Sequence, residues 1–243
     1  MSPVTRVGNV EIITPLPVPA LVSGPPMDCL EYMLSQGVAF MPFSGVLRER
    51  VSDKGGFFWD SWITAGDVVT VYGGKVKVSH GGDEVYQKVV SGKPGLDVEG
   101  IYQLSSGNAL NLEEVISSFL RMEAIQDSPR FVSASRHDAG VLSDYKRELA
   151  TEMSENGLLR AAAGDNGWIL RQYANAALTL LFEKGTTIMM PPHLIDASDL
   201  NMGDGLYLML CNAITDSGRV TICRLDDGAH HAFALREYRA DAK

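Results

Sequence analysis

The chain is poor in the residues and patterns that usually announce a chemistry. Its 243 residues include three cysteines, Cys29, Cys211 and Cys223, an odd number too widely spread for a disulfide framework. No Asn-X-Ser/Thr glycan acceptor occurs. No apolar run approaches the ~20 residues of a membrane span. The first residues lack the basic stretch and apolar core of a signal peptide. Together these absences predict an intracellular protein, or part of a particle assembled there, with no membrane partner.

Catalytic signatures are missing too. The chain has no Gly-X-Gly-X-X-Gly, no Gly-Lys-Ser/Thr loop, no His-Glu-X-X-His, no Cys-X-X-Cys and no Gly-X-Ser-X-Gly. Dinucleotide, nucleoside triphosphate, zinc-protease and thiol-redox sites therefore have no local footprint, and no cofactor is expected. Positive charge is scarce: 21 Lys and Arg face 30 Asp and Glu, a net charge of −9. That balance disfavours nucleic acid as the main partner, because binding it rests on neutralising phosphates.

What is present is a core. The composition is 45% hydrophobic and 21% charged, which supports one large folded domain or two small ones. The most apolar stretch is C-terminal. Strands are predicted over 206–214, 219–225 and 230–238, with turns at Asp216-Ser217-Gly218 and Asp226-Asp227-Gly228. The run Leu206-Tyr207-Leu208-Met209-Leu210-Cys211 shows no alternation. A half-solvated strand would alternate, so this one must be covered on both faces by helices, another sheet or another subunit. A helix predicted over 166–184 carries Tyr173, Ala176, Ala177 and Leu180 at helical spacing and is the natural cover.

The N-terminal 26 residues read as an extended arm. Pro15, Pro17, Pro19, Pro25 and Pro26 punctuate an otherwise apolar segment. Prolines at this density exclude helix and central strand, and a disordered tail would be more polar. Such an arm either wraps its own domain or lies across a neighbouring subunit. Residues 27–243 form the remaining domain, with a possible sub-boundary near 127–130.

Between these ends, a short helix is expected near 26–36 and a short strand or turn over 38–43. The charged stretch 47–54 is expected to be exposed. Residues 67–100 read as a β-rich lobe: strands over 68–72, 75–79 and 84–90, with a hairpin turn at Gly73-Gly74. Asn111 predicts a helix N-cap for residues 112–125. A short strand is expected at 131–135, helices over 139–156 and 158–163, and a strand at 186–190. The fold class expected is α+β: a mainly antiparallel sheet from the C-terminal third packed by helices, a second β-rich lobe and the arm.

Three groups of side chains are site candidates. If both C-terminal turns have three residues, Cys211, Cys223 and His231 stand in one row across three strands, a possible soft-metal or thiolate–imidazole set. His193, Asp196 and Asp199 share one loop, a pattern suited to acid–base chemistry. His80 with Asp83 and Glu84, and His137 with Asp138, are lesser versions of that pattern. Trp59 and Trp62, with Lys75 and Lys77, could form a binding face, though aromatic clusters are more often core. The leading functional expectation is a non-enzymatic subunit of a larger homo- or hetero-oligomeric assembly, such as a shell, particle or multiprotein complex, whose partners are copies of itself or other protein subunits. The alternatives are a small hydrolase- or transferase-like enzyme using the 193–199 loop, and a ligand- or nucleic-acid-binding module.

Overall fold

The computed structural model describes residues 4–14, 19–53, 56–80, 83–92, 95–132, 139–183, 193–195, 202–214, 218–226 and 229–236. The fold is α+β, and its single mixed sheet curls into a half-barrel.

The sheet is organised around β4 (Ile63–Tyr72), ten residues long and buried over nine of them. Its C-terminal half pairs with β5 (Lys75–Ser79) through a two-residue turn, Gly73-Gly74. Both turn glycines have positive φ, 55° and 73°, as a tight hairpin turn of this hand demands. Along its other edge β4 pairs with β7 (Gly205–Cys211), which pairs in turn with β8 (Val220–Arg224). The register slips between Thr64 and Val68, so Ala65, Gly66 and Asp67 bulge out of the ladder.

The sheet forks at this bulge. Thr64 lies in a parallel bridge with Phe233 of β9 (His231–Ala234), and β9 leads on to β3 (Leu21–Gly24), β2 (Val10–Ile13) and β1 (Val4–Val7). Residues 39–41 fill the crotch of the fork: Gly66 N–H donates to the Met41 carbonyl, and Met41 N–H to the Ala234 carbonyl. A Cβ on Gly66 would lie 2.6 Å from Phe40 Cβ, so the close approach needs glycine. On the far side β5 touches the short β6 (Leu110–Asn111).

The C-terminal strands thus do not form a sheet of their own, and the 67–100 region is no separate lobe. The sheet mixes strands from the start, middle and end of the chain. The N-terminal segment, where described, supplies three strands to the chain's own sheet.

The double-faced apolar run of β7 now has its explanation. Tyr207, Met209 and Cys211 face one core, shared with α2 (Phe43–Asp53), α6 (Leu112–Gln126), α8 (Ala139–Glu155), α9 (Gly157–Ala162) and α10 (Gly167–Glu183). Leu206 and Leu208 face the other, shared with α1 (Pro26–Gln36), α4 (Asp83–Ser91) and α5 (Val98–Leu104). Helices of the same chain cover both faces, as a near-continuous apolar strand requires. The short α3 (Phe57–Asp60) and α7 (Pro129–Val132) are the remaining helices among the described residues. No described helix is long and apolar enough to cross a membrane.

Three local expectations are corrected. Residues 84–90 are helix α4, not strand: Val85, Tyr86 and Val89 are buried together, and spacing of one and four residues is a helical stripe. Residues 47–54 are not an exposed charged stretch, because α2 buries Val46, Leu47 and Arg50. Residues 129–132 are a helical turn, and the expected strand's remainder, like the strand at 186–190, lies outside the described residues. The helix caps read correctly: the Asn111 side chain accepts from Glu113 and Glu114 N–H.

Arg50 ties this architecture together from inside. Fully buried on α2, it donates through Nη1 to the Asn212 carbonyl (2.7 Å) and the Tyr173 hydroxyl (3.1 Å). Through Nη2 it donates to the carbonyls of Cys211 (2.8 Å) and Ser61 (2.9 Å). Its guanidinium lies 5.3 Å from the Trp59 ring centroid, and Trp59 stacks on Tyr173. No carboxylate among the described residues pairs with it.

Candidate functional site

A lone carboxylate in an apolar strand is the place to start. Asp67 sits in the β4 bulge with its side chain wholly excluded from solvent. A charge there must be bonded or it will be neutralised. Oδ2 accepts the backbone N–H of Phe43, the first residue of α2. Oδ1 lies 3.0 Å from Nδ1 of His80. Burial pushes the Asp67 carboxyl upward, partly opposed by its bonds to His80 and Phe43. The bond to Asp67 pushes His80 upward too, against its own partial burial. Both shifts say that the pair holds its proton more tightly than the separate groups would in water.

The hairpin brings these two together. Tyr72 pairs with Lys75 and Val68 with Ser79, so the next step of the ladder sets Asp67 opposite His80. Cross-strand neighbours are ~5 Å apart. The ionised carboxylate accepts only, so His80 must carry its proton on Nδ1. That tautomer leaves Nε2 as the basic atom.

His80 is 47% exposed at its side chain and lines a cavity of about 530 Å³. The loop after α5 supplies Ser106, Gly107 and Asn108. The end of α8 supplies Glu155, α9 supplies Arg160, and the turn beyond α9 supplies Gly164 and Asp165. The loop is pressed against β5. Ser79 Oγ donates to Ser105 Oγ at 2.8 Å, and a Cβ on Gly107 would lie 2.5 Å from the Val78 carbonyl. Ser106, between them, is exposed on the same cavity as His80. Opposite, the Arg160 guanidinium is bonded to Asp165 at 2.5 Å. Asp165 has φ 59°, a left-handed conformation uncommon outside glycine, next to Gly164 at 68°.

A buried acid orienting a histidine at a cavity wall, with a hydroxyl on the same wall, is the arrangement that proton transfer to and from a substrate needs. Sequence reading set His80 beside Asp83 and Glu84 and passed over Asp67. The signal was available: a single acidic residue within an apolar run, and a two-residue turn that fixes which residue it faces.

The candidates from sequence are not gathered into one site. The cysteine–histidine row does not form. Cys211 pairs with Val220 and Cys223 with Leu208, three residues off the register that a three-residue loop implies, and the same pairing runs on through Asn212 N–H to the Arg219 carbonyl and Gly218 N–H to the Ala213 carbonyl. β9 leaves β8 altogether, and His231 lies opposite Gly24 with its Nδ1 3.0 Å from the Thr64 hydroxyl. No disulfide joins the three cysteines, and no group of three potential metal ligands occurs among the described residues. His193 Nε2 is 3.4 Å from Asp127 Oδ1, on a segment that Gln126 holds by accepting from Leu194 and Ile195 N–H; Asp196 and Asp199 lie outside the described residues.

Trp59 is core, whereas Trp62 is 48% exposed. Lys77 donates to the carbonyls of Tyr102 and Ser105 and lies over the Tyr102 ring, so it caps the end of α5; Lys75 is exposed on the same strand. A second cleft of about 350 Å³, between Met27, Leu96 and Leu206 on one side and Arg224 and Asp226 on the other, holds no comparable polar set. No protein-family model matches this chain, and no curated protein or solved structure is detectably similar to it.

Proposed function

We propose that the chain is a small hydrolase- or acyl-transferase-like enzyme working at the His80 cavity. The observation that carries this reading is the fully buried Asp67 carboxylate, 3.0 Å from a histidine that opens onto a cavity of ligand size. In this reading His80 Nε2 takes the proton of Ser106 Oγ as that oxygen attacks an acyl carbon. Asp67 fixes the ring tautomer and stabilises the imidazolium. His80 then returns the proton to the leaving group as the carbon–leaving-group bond breaks. Water, activated by the same nitrogen, releases the acyl group.

A fluorophosphonate probe tests it. Covalent labelling of Ser106, read by peptide mass spectrometry, is expected in the native protein. His80→Gln should slow it about 10²–10⁴-fold, the usual worth of a positioned general base. Absence of labelling, or equal labelling of the variant, rejects the reading.

A second reading, a subunit of a larger assembly, draws on β1. This strand is the outermost of the sheet among the described residues, all four of its residues are exposed, and Val4 and Val7 are 55% and 49% exposed. An open, partly apolar edge is a template for another chain, here a second copy or another protein subunit. A defined oligomer by light scattering that becomes a monomer on Val4→Lys with Val7→Lys supports it; a native monomer disposes of it.

A further inference from the structure

Arg160 occupies the cavity wall in an unfinished state. One edge of its guanidinium is bonded to Asp165 through Nη2. Nε is sealed from solvent and has no hydrogen-bond partner. Arginine is the side chain whose planar fork matches two oxygens of one anion. A guanidinium on a cavity wall with a single monodentate carboxylate partner has donors left over. His80, lining the same cavity, adds a second positive group whenever it carries its extra proton.

The partner is unusual as well. Asp165 holds left-handed backbone geometry, its N–H donates to the Arg160 carbonyl at 2.7 Å, and its side chain returns to the Arg160 guanidinium. The carboxylate is thus delivered by a tight turn onto the position that a ligand oxyanion would take. It is itself 80% exposed and is not locked in place by burial.

We propose that the Arg160 end of the cavity binds the anionic group of the substrate, a carboxylate or a phosphate, and that Asp165 is the resident carboxylate this group displaces. The substrate class is then a small acyl compound carrying a negative charge away from the reacting carbon. This rests on the reading of the cavity as a substrate site, but its readout is binding and not turnover.

The test is a titration of the full-length protein, at pH 6.5 and low salt, with inorganic phosphate and separately with succinate. Binding is followed by the ring signals of His80 in carbon–proton correlation spectra. Saturable shifts are expected with at least one anion, and the stronger of the two identifies the source. Arg160→Met should weaken binding by about ten- to a hundredfold, the worth of a charge-assisted pair. Asp165→Asn, which suits the left-handed turn and removes the competing charge, should strengthen it. Opposite effects of these two changes are not expected of residues that merely brace the turn, since breaking either end of the ion pair would then act alike. Thermal melts check that each variant is folded. The proposal is overturned if neither anion shifts His80, if Arg160→Met binds as the native protein does, or if Asp165→Asn weakens binding. Labelling of Ser106 would be unaffected by any of these outcomes, so failure here and failure of the catalytic reading are separable.

Discussion

Replacing Arg50 by methionine is expected to destabilise the fold by about 3–5 kcal/mol, at the upper end of single-site effects. Methionine fills a similar space, so the loss is not chiefly one of volume. It comes from the carbonyls of Ser61, Cys211 and Asn212, which lose a charged donor in a dry interior. Each such bond is worth about 1.5–3 kcal/mol, offset in part because a buried guanidinium charge is no longer present. Arg50→Lys keeps the charge but not the fork, and one ammonium cannot span acceptors on 61, 173, 211 and 212; it should fall between the two. Urea unfolding gives the answer directly. With a slope of about 2–3 kcal/mol per molar, the methionine variant should unfold more than about 1 M earlier. A change below about 1 kcal/mol would mean that the carbonyls find other donors and that Arg50 is not the tie the geometry describes.

The second large effect is expected at Asp67→Asn. The amide oxygen can keep the bond from Phe43 N–H, so the start of α2 is preserved. The amide nitrogen is then left facing His80 Nδ1, as a donor where an acceptor stood. The ring must move its proton to Nε2, and the base is lost. Labelling of Ser106 should fall about 10²–10⁴-fold. A titration of the His80 ring by NMR gives a reading that needs no substrate. Asp67 raises the affinity of His80 for its proton, so the asparagine variant should titrate at lower pH than the native protein. If the two titrate alike, the pair is not coupled.

The same pair fixes a direction for stability. His80 gains a partner on folding, so its contribution is fully present below its unfolded value of 6.5 and fades as pH rises through its elevated folded value. Asp67, pushed up from 3.8 by burial, has the same sign but a lower range, its effect beginning as pH rises from about 3.8. Native stability should therefore decline from pH 6 toward pH 8, and this decline should flatten in Asp67→Asn. Solvent screens the half-exposed histidine, so the slope will be shallow.

Much of the local structure was legible in the sequence. The capping side chain of Asn111 and the stripe through α10 are local signals, and they marked helices correctly. The unbroken apolar run of β7 correctly demanded cover on both faces. What stayed hidden was non-local. The β-branched and aromatic content of Val85, Tyr86, Val89 and Val90 suits a strand, and only the joint burial of 85, 86 and 89 reveals a helix. The register of β7 on β8 was misjudged because the pairing continues beyond Cys211 to Ala213 and Gly218, so the connection is not the three-residue turn read at 216–218. The arm's prolines predicted an extended segment lying on its own domain or on a neighbour, but not which strand it meets: Leu21, Val22 and Ser23 pair with β9 from the other end of the chain.

The cavity draws on residues 67, 80, 106–110 and 155–165. Only the first two are related by a countable rule, since they flank one turn. The others are brought in by the loop after α5 and by α9, both packed beside β5, which no spacing in the chain encodes.

That turn has a consequence for how the molecule tolerates change over time. Gly73 and Gly74 do not line the His80 cavity, yet they set the phase of everything downstream on β5. One inserted residue there would rotate the following strand by half a period and send the imidazole into the opposite layer of helices. The smallest side chains in the hairpin therefore act as the timing mark for its chemistry, and variation in that loop should be constrained in length before it is constrained in kind.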